Sequence, residues 1–415
     1  MRFNGDVVAF DYAGIPMVGN MQTGYAIGLT PEGAEICAQL LREDVSEHAV
    51  AAVDAALLEH LRRGGFFADA PISSRVVAAY LHVTQRCNLS CVGCYSLDPQ
   101  RNALDDASLE DVLHAVDELA SVGVASLVIS GGEPFLRSDL PDIVEHAKRA
   151  GIAKVTVLSN GTCLSKAALD RLAPYVDCVS VSFDGCSSSS TAYIRGCQRF
   201  DELVDAVGMV RAAGIPAHII PTVHGRNVED LAAYLKLADD LGATLNFSLL
   251  TCEPDDVQLG TLLPDGEALR ALGHSLLALG EKKPFALLDA PIGLSLTVKC
   301  NCGAGFRELS VGADGTVYPC HMLQRPELAM GNAFTGTVAE ILEGEVSQKF
   351  RALNAGTFDG CSSCRYLRIC GGGCRARSLF ASGNLESRDS YCTMTQVFYD
   401  DLGEKMNASL HARGR

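Results

Sequence analysis

The residues best equipped for chemistry are the cysteines, seventeen in a chain of 415 residues, and their spacing sorts them into groups. The tightest group is Cys87-x3-Cys91-x2-Cys94. Three thiolates this close fit three corners of a four-iron cluster, and a cubane with only three protein ligands leaves one iron open to bind a small molecule. A zinc ion completed by His82 or by a distant ligand is the plainer alternative for the same residues. A second set fills the last quarter of the chain: Cys300, Cys302, Cys320, Cys361, Cys364, Cys370, Cys374 and Cys392. The odd total, in a chain with no secretion signal, argues against a disulfide framework and for metal or cluster ligation. Cys37, Cys163, Cys178, Cys186, Cys197 and Cys252 have no ligand spacing and read as ordinary small residues.

Three further motifs follow the first cysteines in order. Ser130-Gly131-Gly132-Glu133-Pro134 pairs two glycines, which let a backbone approach a ligand closely, with a carboxylate. Ser159-Asn160-Gly161 and Ser182-Phe183-Asp184-Gly185 come next, and then Arg195, whose guanidinium fork suits a carboxylate partner.

The elements around these motifs explain their order. From Val76 to about Glu281, β-branched runs alternate with amphipathic helical segments in six strand–helix pairs, among them VVAAYLHVT, ASLVISG, KVTVLSN, CVSVSFD, PAHIIPTV and TLNFSLLT. Each motif sits where one of the first four strands ends. Repeated βα units form a parallel sheet or barrel with its active site at the C-terminal strand ends, so the motifs converge on one mouth. Ahead of them, residues 6 to 28 alternate apolar stretches with Gly and Asn turns and predict small antiparallel strands. Thr30-Pro31 caps a helix through Leu41, and Ser46 opens another that runs to Gly64-Gly65. The organisation expected is an α+β unit over residues 1–72, a βα unit over 76–290 and a cysteine-rich unit over 299–415.

Bulk properties narrow the function. The formal charge is −16, from 34 basic and 50 acidic residues, and no dense Lys/Arg block offers a surface for phosphates, so a nucleic-acid partner is not expected. No apolar run reaches the ~20 residues a membrane helix needs, and the first residues lack a signal-peptide core, so a soluble cytoplasmic protein is expected.

Cys87-x3-Cys91-x2-Cys94 after the first strand, then the GGEP segment, resembles the radical S-adenosylmethionine superfamily. The resemblance implies that the open iron chelates the methionyl amine and carboxylate of S-adenosylmethionine. It places Gly131, Gly132 and Glu133 at the methionine ammonium, and Asn160 among the ribose- and carboxylate-contacting positions, with Ser182 at the ribose and Arg195 at the carboxylate. One departure is Gly93, where the family often has an aromatic residue near adenine; Tyr95 is the expected substitute. The late cysteines look like a SPASM domain, which implies two auxiliary four-iron clusters: Cys302, Cys320 and Cys374 in the first, Cys361, Cys364, Cys370 and Cys392 in the second. Cys300 is either a fourth ligand of the first or a neighbour that leaves an iron open to a substrate thiolate. Zinc is the alternative for the quartet.

The N-terminal unit resembles the winged-helix-like recognition element of enzymes that modify ribosomally made peptides, with three strands and three helices, which implies a leader peptide added to its sheet edge. Together the resemblances imply a partial (βα)6 barrel between a winged-helix-like α+β domain and a SPASM domain, holding three [4Fe-4S] clusters. The implied activity is crosslinking of a precursor peptide through hydrogen abstraction by a 5′-deoxyadenosyl radical, with a thioether first and a C–C bond second. Flavodoxin or ferredoxin is the implied electron donor. The competing enzyme reading is a formylglycine-forming anaerobic sulfatase maturase. A non-catalytic scaffold would leave GGEP, Ser182 and Arg195 without a purpose.

Overall fold

A computed structural model describes residues 1–67, 76–96, 100–253, 256–283, 290 and 292–413 of the chain, with the side chains of 411–413 excepted. The N-terminal strands β1 (Val7–Tyr12), β2 (Ile15–Asn20) and β3 (Ala26–Gly28) form an antiparallel sheet in that order. A two-residue turn at Ala13-Gly14 joins the first pair, both residues at positive φ (54° and 81°), the conformation that matches hairpin twist. Helix α1 (Pro31–Leu40) starts as expected, with Thr30 Oγ1 accepting from the Gly33 amide at 3.1 Å. The single helix expected after Ser46 is two, α2 (Glu47–Val53) and α3 (Ala55–Arg63). Asp54 breaks it: its backbone is extended, and its carboxylate accepts from the amides of Ala56 and Leu57 at 2.8 and 3.1 Å. An aspartate competes for free amides better as a cap than it serves a helix interior. The unit thus has three strands and three helices around its own core of Phe3, Val18, Ile36, Leu40, Leu61 and Phe66.

This unit leans on the C-terminal region. The Tyr12 hydroxyl donates to the Tyr399 carbonyl at 2.7 Å, and its ring meets those of Tyr366 and Tyr399 edge-on. Gly19 abuts Val298 so closely that a Cβ there would lie 2.3 Å from a Val298 methyl. The boundary expected at residue 72 lies outside the described residues.

The βα region gives five consecutive parallel strands, β4 (Ala78–His82), β5 (Ser126–Ser130), β6 (Lys154–Ser159), β7 (Cys178–Phe183) and β8 (Ala217–Val223). Period-two burial decides their faces. Ala79, Leu81, Leu127, Ile129, Val155, Val157, Val179 and Val181 point into one apolar core. Helices α4 (Leu109–Ser121), α5 (Leu140–Arg149), α6 (Lys166–Leu172), α7 (Phe200–Ala212) and α8 (Leu231–Leu241) cross over between strands and add Val112, Val116, Leu119, Ile143, Leu172 and Val210 to the same core. The opposite, concave face carries smaller and more polar side chains. The sixth expected strand is split into β9 (Thr244–Leu245) and β10 (Ser248–Leu249), both pairing with β8, because Phe247 between them is fully buried against Tyr234.

The far side of the sheet holds an arrangement the sequence did not announce. Strand β4 pairs in parallel with β11 (Glu308–Val311), which continues antiparallel into β12 (Thr316–Tyr318) and β13 (Gly331–Asn332). The cysteine-rich region therefore extends the barrel sheet instead of standing apart from it. Two further helices follow β10, α9 (Val257–Gly260) and α10 (Gly266–Gly280), and α10 lies along the final helix, Cys392–Arg413.

Candidate active site and cluster sites

The end of β4 runs into the loop that carries Cys87, Cys91 and Cys94. The loop is held from several sides. Asn102, itself at φ 69°, clamps the Cys87 backbone by accepting from its amide at 2.8 Å and donating to its carbonyl at 3.1 Å. Asp106 accepts from Thr84 and Arg86 at the loop's base. The Val92 amide donates to the Ile194 carbonyl at 2.8 Å.

The GGEP glycines do close-approach work, but against protein. The Gly132 amide donates to the Thr84 carbonyl and the Glu133 amide to the Arg86 carbonyl, both at 2.8 Å. A Cβ on Gly131 would sit 2.3 Å from Thr84 O, and one on Gly132 2.2 Å from Arg86 O. The two glycines strap the end of β5 to the cysteine loop. Glu133 is fully buried, and its carboxylate accepts from Ser159 Oγ (2.9 Å), the Asn160 amide (2.7 Å) and the Phe135 amide (3.1 Å). Burial pushes its pKa up, against the pull of those three donors and of Arg195.

Asn160 and Arg195 complete the mouth. Asn160 Nδ2 donates to Asn88 Oδ1 at 2.9 Å and lies 3.8 Å from the Cys87 sulfur. Arg195 donates from Nη1 to the Asn160 carbonyl at 3.0 Å, while Asp184 accepts from the amides of Ile194 and Arg195 at 2.7 and 2.8 Å. Ser182 shares the concave face of β7 with Cys178 and Ser180. The thiol of Cys91 is pushed up, first by burial; Arg195 opposes this, and Cys94 and Cys87 reinforce it, so the three sulfurs are within electrostatic reach of one another. His82 is not among them: it is buried in the β4 strand, with Gln324 Nε2 3.1 Å from its ring. Sequence reasoning missed Arg101, whose Nη2 donates to the Ser96 carbonyl at 2.7 Å and lies 3.4 Å from the Cys94 sulfur. Three soft thiol ligands on one loop, with N–H donors aimed at two of them, fit a cluster with one open iron.

The departure at Gly93 has a physical cause. Its φ is 67°, and a Cβ would lie 2.6 Å from Leu259, so an aromatic side chain has no room there. Tyr95 instead faces the concave side, its hydroxyl 3.0 Å from Ser130 Oγ.

The later cysteines line two cavities. Cys361, Cys364, Cys370 and Cys392 surround one, a closed four-thiol set. Cys302, Cys320 and Cys374 surround another of about 160 Å³, together with Glu308, His321 and Lys299, and Cys370 reaches its wall as well. The loop between Cys370 and Cys374 is Gly371-Gly372-Gly373, all left-handed (φ 63°, 86° and 76°), which turns the two thiols toward different cavities. Cys300 lines neither. Its carbonyl accepts from the Ala355 amide and Asn301 Nδ2 donates to the Leu353 carbonyl, so the chain bends there and leaves Cys300 near Asp6, Arg307 and Arg368. His321 and Glu308 lie 3.3 Å apart beside Cys320, a feature with no spacing signal in the sequence.

The sequence pattern of the radical SAM superfamily matches residues 81–238, and that of the iron-sulfur cluster-binding SPASM domain matches residues 300–365. The chain is 30% identical over 341 residues to the AdoMet-dependent heme synthase of Methanosarcina barkeri (strain Fusaro / DSM 804), covering 75% of this chain and 94% of that one. The chain belongs to the radical SAM superfamily. It is also 31% identical over 352 residues to the mycofactocin maturase MftC of Mycolicibacterium smegmatis, covering 81% and 85%. In fold it is similar to the crystal structure of Streptococcus suis SuiB bound to precursor peptide SuiA, with a TM-score of 0.63 at 16% identity over 94% of this chain and 99% of that one. As a radical SAM enzyme with a SPASM domain, it uses [4Fe-4S] clusters and S-adenosylmethionine.

The concave face of this radical SAM sheet encloses a cavity of about 470 Å³. It runs from Gly93 and Tyr95 in the cysteine loop, past Thr156 and Ser180, to the first residues of β5, β6 and β7. His321 and Met322 line both this cavity and the Cys302–Cys320–Cys374 site, so one wall separates the two. No described helix is long and apolar enough to cross a membrane.

Proposed function

We propose that the chain is a peptide maturase that crosslinks a ribosomally made precursor, with residues 1–72 binding the leader, 76–290 the reaction and 299–415 the auxiliary clusters. The observation that carries this reading is the cavity between the cysteine loop and the first auxiliary site, whose His321–Met322 wall is shared. A substrate there touches both places where electrons enter and leave. The mycofactocin maturase relative supports a peptide substrate.

Cys87, Cys91 and Cys94 hold the first cluster, and Cys361, Cys364, Cys370 and Cys392 the closed one. Cys302, Cys320 and Cys374 hold the third, for three in all, with Cys300 either its fourth ligand or a neighbour that leaves an iron open to a substrate thiolate. Arg195 pairs with the cofactor carboxylate, Ser182 and Asn160 lie along its ribose, and the Gly131–Glu133 segment backs the amine. When bound and reduced by one electron, the cofactor supplies a carbon radical that takes a hydrogen atom from the substrate. The peptide would lose two hydrogens in all, one as that atom and one as a proton, and a cluster held by Cys302, Cys320 and Cys374 would supply an acceptor for the remaining electron. A flavodoxin or ferredoxin supplies the first electron. The product is a thioether if a peptide cysteine closes the bond, and a C–C link otherwise.

The leader's place is the outer edge of β3, beyond the Gly24 carbonyl that accepts from the Val298 amide at 2.9 Å. Tyr25, Ile27 and Leu29 face β2, which leaves the Ala26 and Gly28 amides outward. Ala26→Pro removes one outward donor without touching the β2 ladder. Anaerobic reaction with the short peptides encoded beside the gene, read by mass spectrometry, should show a two-hydrogen loss that Ala26→Pro greatly slows while uncoupled cofactor cleavage persists. Unchanged crosslinking in that variant would remove the leader from this edge. The heme synthase relative favours a second reading, synthesis of heme, and formation of heme from a porphyrin precursor with no peptide modified would establish it in place of the first.

A further inference from the structure

The concave cavity has an electrostatic character that the cluster chemistry does not require. The chain carries 50 acidic and 34 basic residues. Yet among the described residues lining this cavity there is no aspartate or glutamate, while Lys154, His218 and His321 all face it. The first two lie far from the cysteine loop. Lys154 opens β6, and His218 is the second residue of β8. At ~3.3 Å per residue, the six-residue strand β6 puts Lys154 on the order of 15 Å below the mouth.

Both groups are free to bind. Lys154 has no ion-pair partner among the described residues. The nearby Asp177 is ion-paired with Lys148 instead, its Oδ2 accepting from Lys148 Nζ at 3.0 Å and from the Val155 amide at 2.7 Å. His218 Nδ1 lies 2.7 Å from Ser180 Oγ, and its Nε2 is buried without any hydrogen-bond partner. An unsatisfied buried nitrogen on a cavity wall costs free energy until something fills it. Burial, with Lys154 nearby, pushes the ring's pKa down to about 4, so the ring is neutral at pH 7. In the tautomer where the Ser180 hydroxyl donates to Nδ1, the proton sits on Nε2 and is offered to the cavity; a bound carboxylate selects that tautomer over the one in which Nδ1 donates to Ser180.

We infer that Lys154, His218 and Ser180 form a carboxylate-binding subsite at the far end of the cavity, where Lys154 is exposed and His218 half-buried, which anchors an anionic group of the substrate several residues from the reacting carbon. The inference rests on the peptide reading for its substrate but on the cavity alone for its chemistry. An ammonium and a neutral imidazole N–H together give a carboxylate one charge-assisted and one ordinary hydrogen bond, whereas a cationic group would meet Lys154 with no counter-charge. The carboxylate belongs to an acidic side chain or to a peptide C-terminus, and an extended segment of four or five residues spans the depth.

The test is calorimetric binding of three tetrapeptides to the anaerobically reconstituted enzyme. They are acetyl-Ala-Ala-Glu-Ala amide, acetyl-Ala-Ala-Ala-Ala with a free C-terminus, and the neutral acetyl-Ala-Ala-Gln-Ala amide. At least one acidic probe should bind about tenfold tighter than the neutral one. Which one does so identifies the source of the carboxylate. Lys154→Gln should erase the preference, Lys154→Arg should keep it, and His218→Gln should reduce it. No preference, whether all three bind alike or none binds up to about 10 mM, overturns the subsite, as does a preference that survives Lys154→Gln. Precursor crosslinking is scored separately. If a precursor is modified but the probes show no preference, only the subsite falls; if the preference stands and no peptide is modified, the peptide reading falls.

Discussion

The cysteine loop at the barrel mouth and the cysteine-rich C-terminal region place thiols by opposite means. At the mouth, three cysteines share one loop whose backbone is clamped by Asn102, by the GGEP strap and by Ile194, and whose sulfurs have Asn160 and Arg101 beside them. In the C-terminal region, cysteines from separate turns are gathered around fully buried charge. Arg377 and Asp389 form a bidentate pair at 2.9 Å, the same carboxylate accepts from the Cys374 amide at 2.7 Å, and Arg375 is buried against carbonyls. Burial pushes the thiols of Cys370 and Cys374 up to about 12, and that of Cys320 well above its usual range. Metal binding to thiols raised in this way releases their protons, which couples ligation to folding. The mouth instead presents three thiols on one braced loop. The difference separates a site built for exchange from sites built for retention.

The strongest way to break this comparison is to remove the mouth alone. Replacing Cys87, Cys91 and Cys94 together with Ala should bring 5′-deoxyadenosine formation to background while iron falls by about a third. Chromatography of the nucleoside and iron analysis on the same sample decide it; persistent cleavage would sink the assignment of these three. The converse change is Asp389→Ala. It strands the Arg377 charge in the interior, which costs about 3–5 kcal/mol, and frees the Cys374 amide. The expected result is loss of auxiliary iron, seen in the reduced-cluster EPR signals, with the mouth cluster kept. Auxiliary signals unchanged in that variant would mean that the buried pair does not organise those sites. Arg195→Ala acts within the mouth. It removes a charge-assisted contact and the tie to the Asn160 carbonyl, so the Kd for S-adenosylmethionine should rise about tenfold. An equilibrium-dialysis Kd equal to the wild-type value would take Arg195 out of the site.

How much of this was legible follows the same division. The five parallel strands and the positions of the cysteine, GGEP, Asn160, Ser182 and Arg195 motifs could be read because period-two runs such as KVTVLS end where each motif begins. The grouping of Cys361, Cys364, Cys370 and Cys392 was also readable from spacing and resemblance. What sequence could not show depends on long-range approach. Leu259 over Gly93, the pairing of β11 with β4, and the meeting of Glu308, Cys320 and His321 join segments whose separation carries no local signal. The helix break at Asp54 was a local choice between cap and interior, and the cap geometry won. At the GGEP glycines the need for close approach was legible, but not the contacts to Thr84 and Arg86, which become neighbours only once β4 and β5 pair.

The smallest expected effect tests whether the barrel half carries its own acid sensitivity. His82 and His218 both belong to the concave side of the sheet, and burial depresses their pKa values to about 3 and about 4. In the unfolded chain each returns to its ordinary value near 6.5. Between the folded and unfolded values the unfolded chain therefore binds more protons, so stability falls as the pH drops below about 6.5 and continues to fall until the folded value is reached. From about pH 7 to about pH 5.5 each histidine should cost on the order of 1 kcal/mol. The measurement is the shift in anaerobic urea midpoint between those two conditions for wild type, His82→Asn and His218→Asn, with the exposed His114→Asn as control. Each barrel variant should lose part of the acid shift and the control none. A full shift in both barrel variants would place the acid-labile groups elsewhere, though not at Asp389, whose carboxyl Arg377 holds below the usual carboxylate range despite its burial, so that its contribution is lost only below about pH 4.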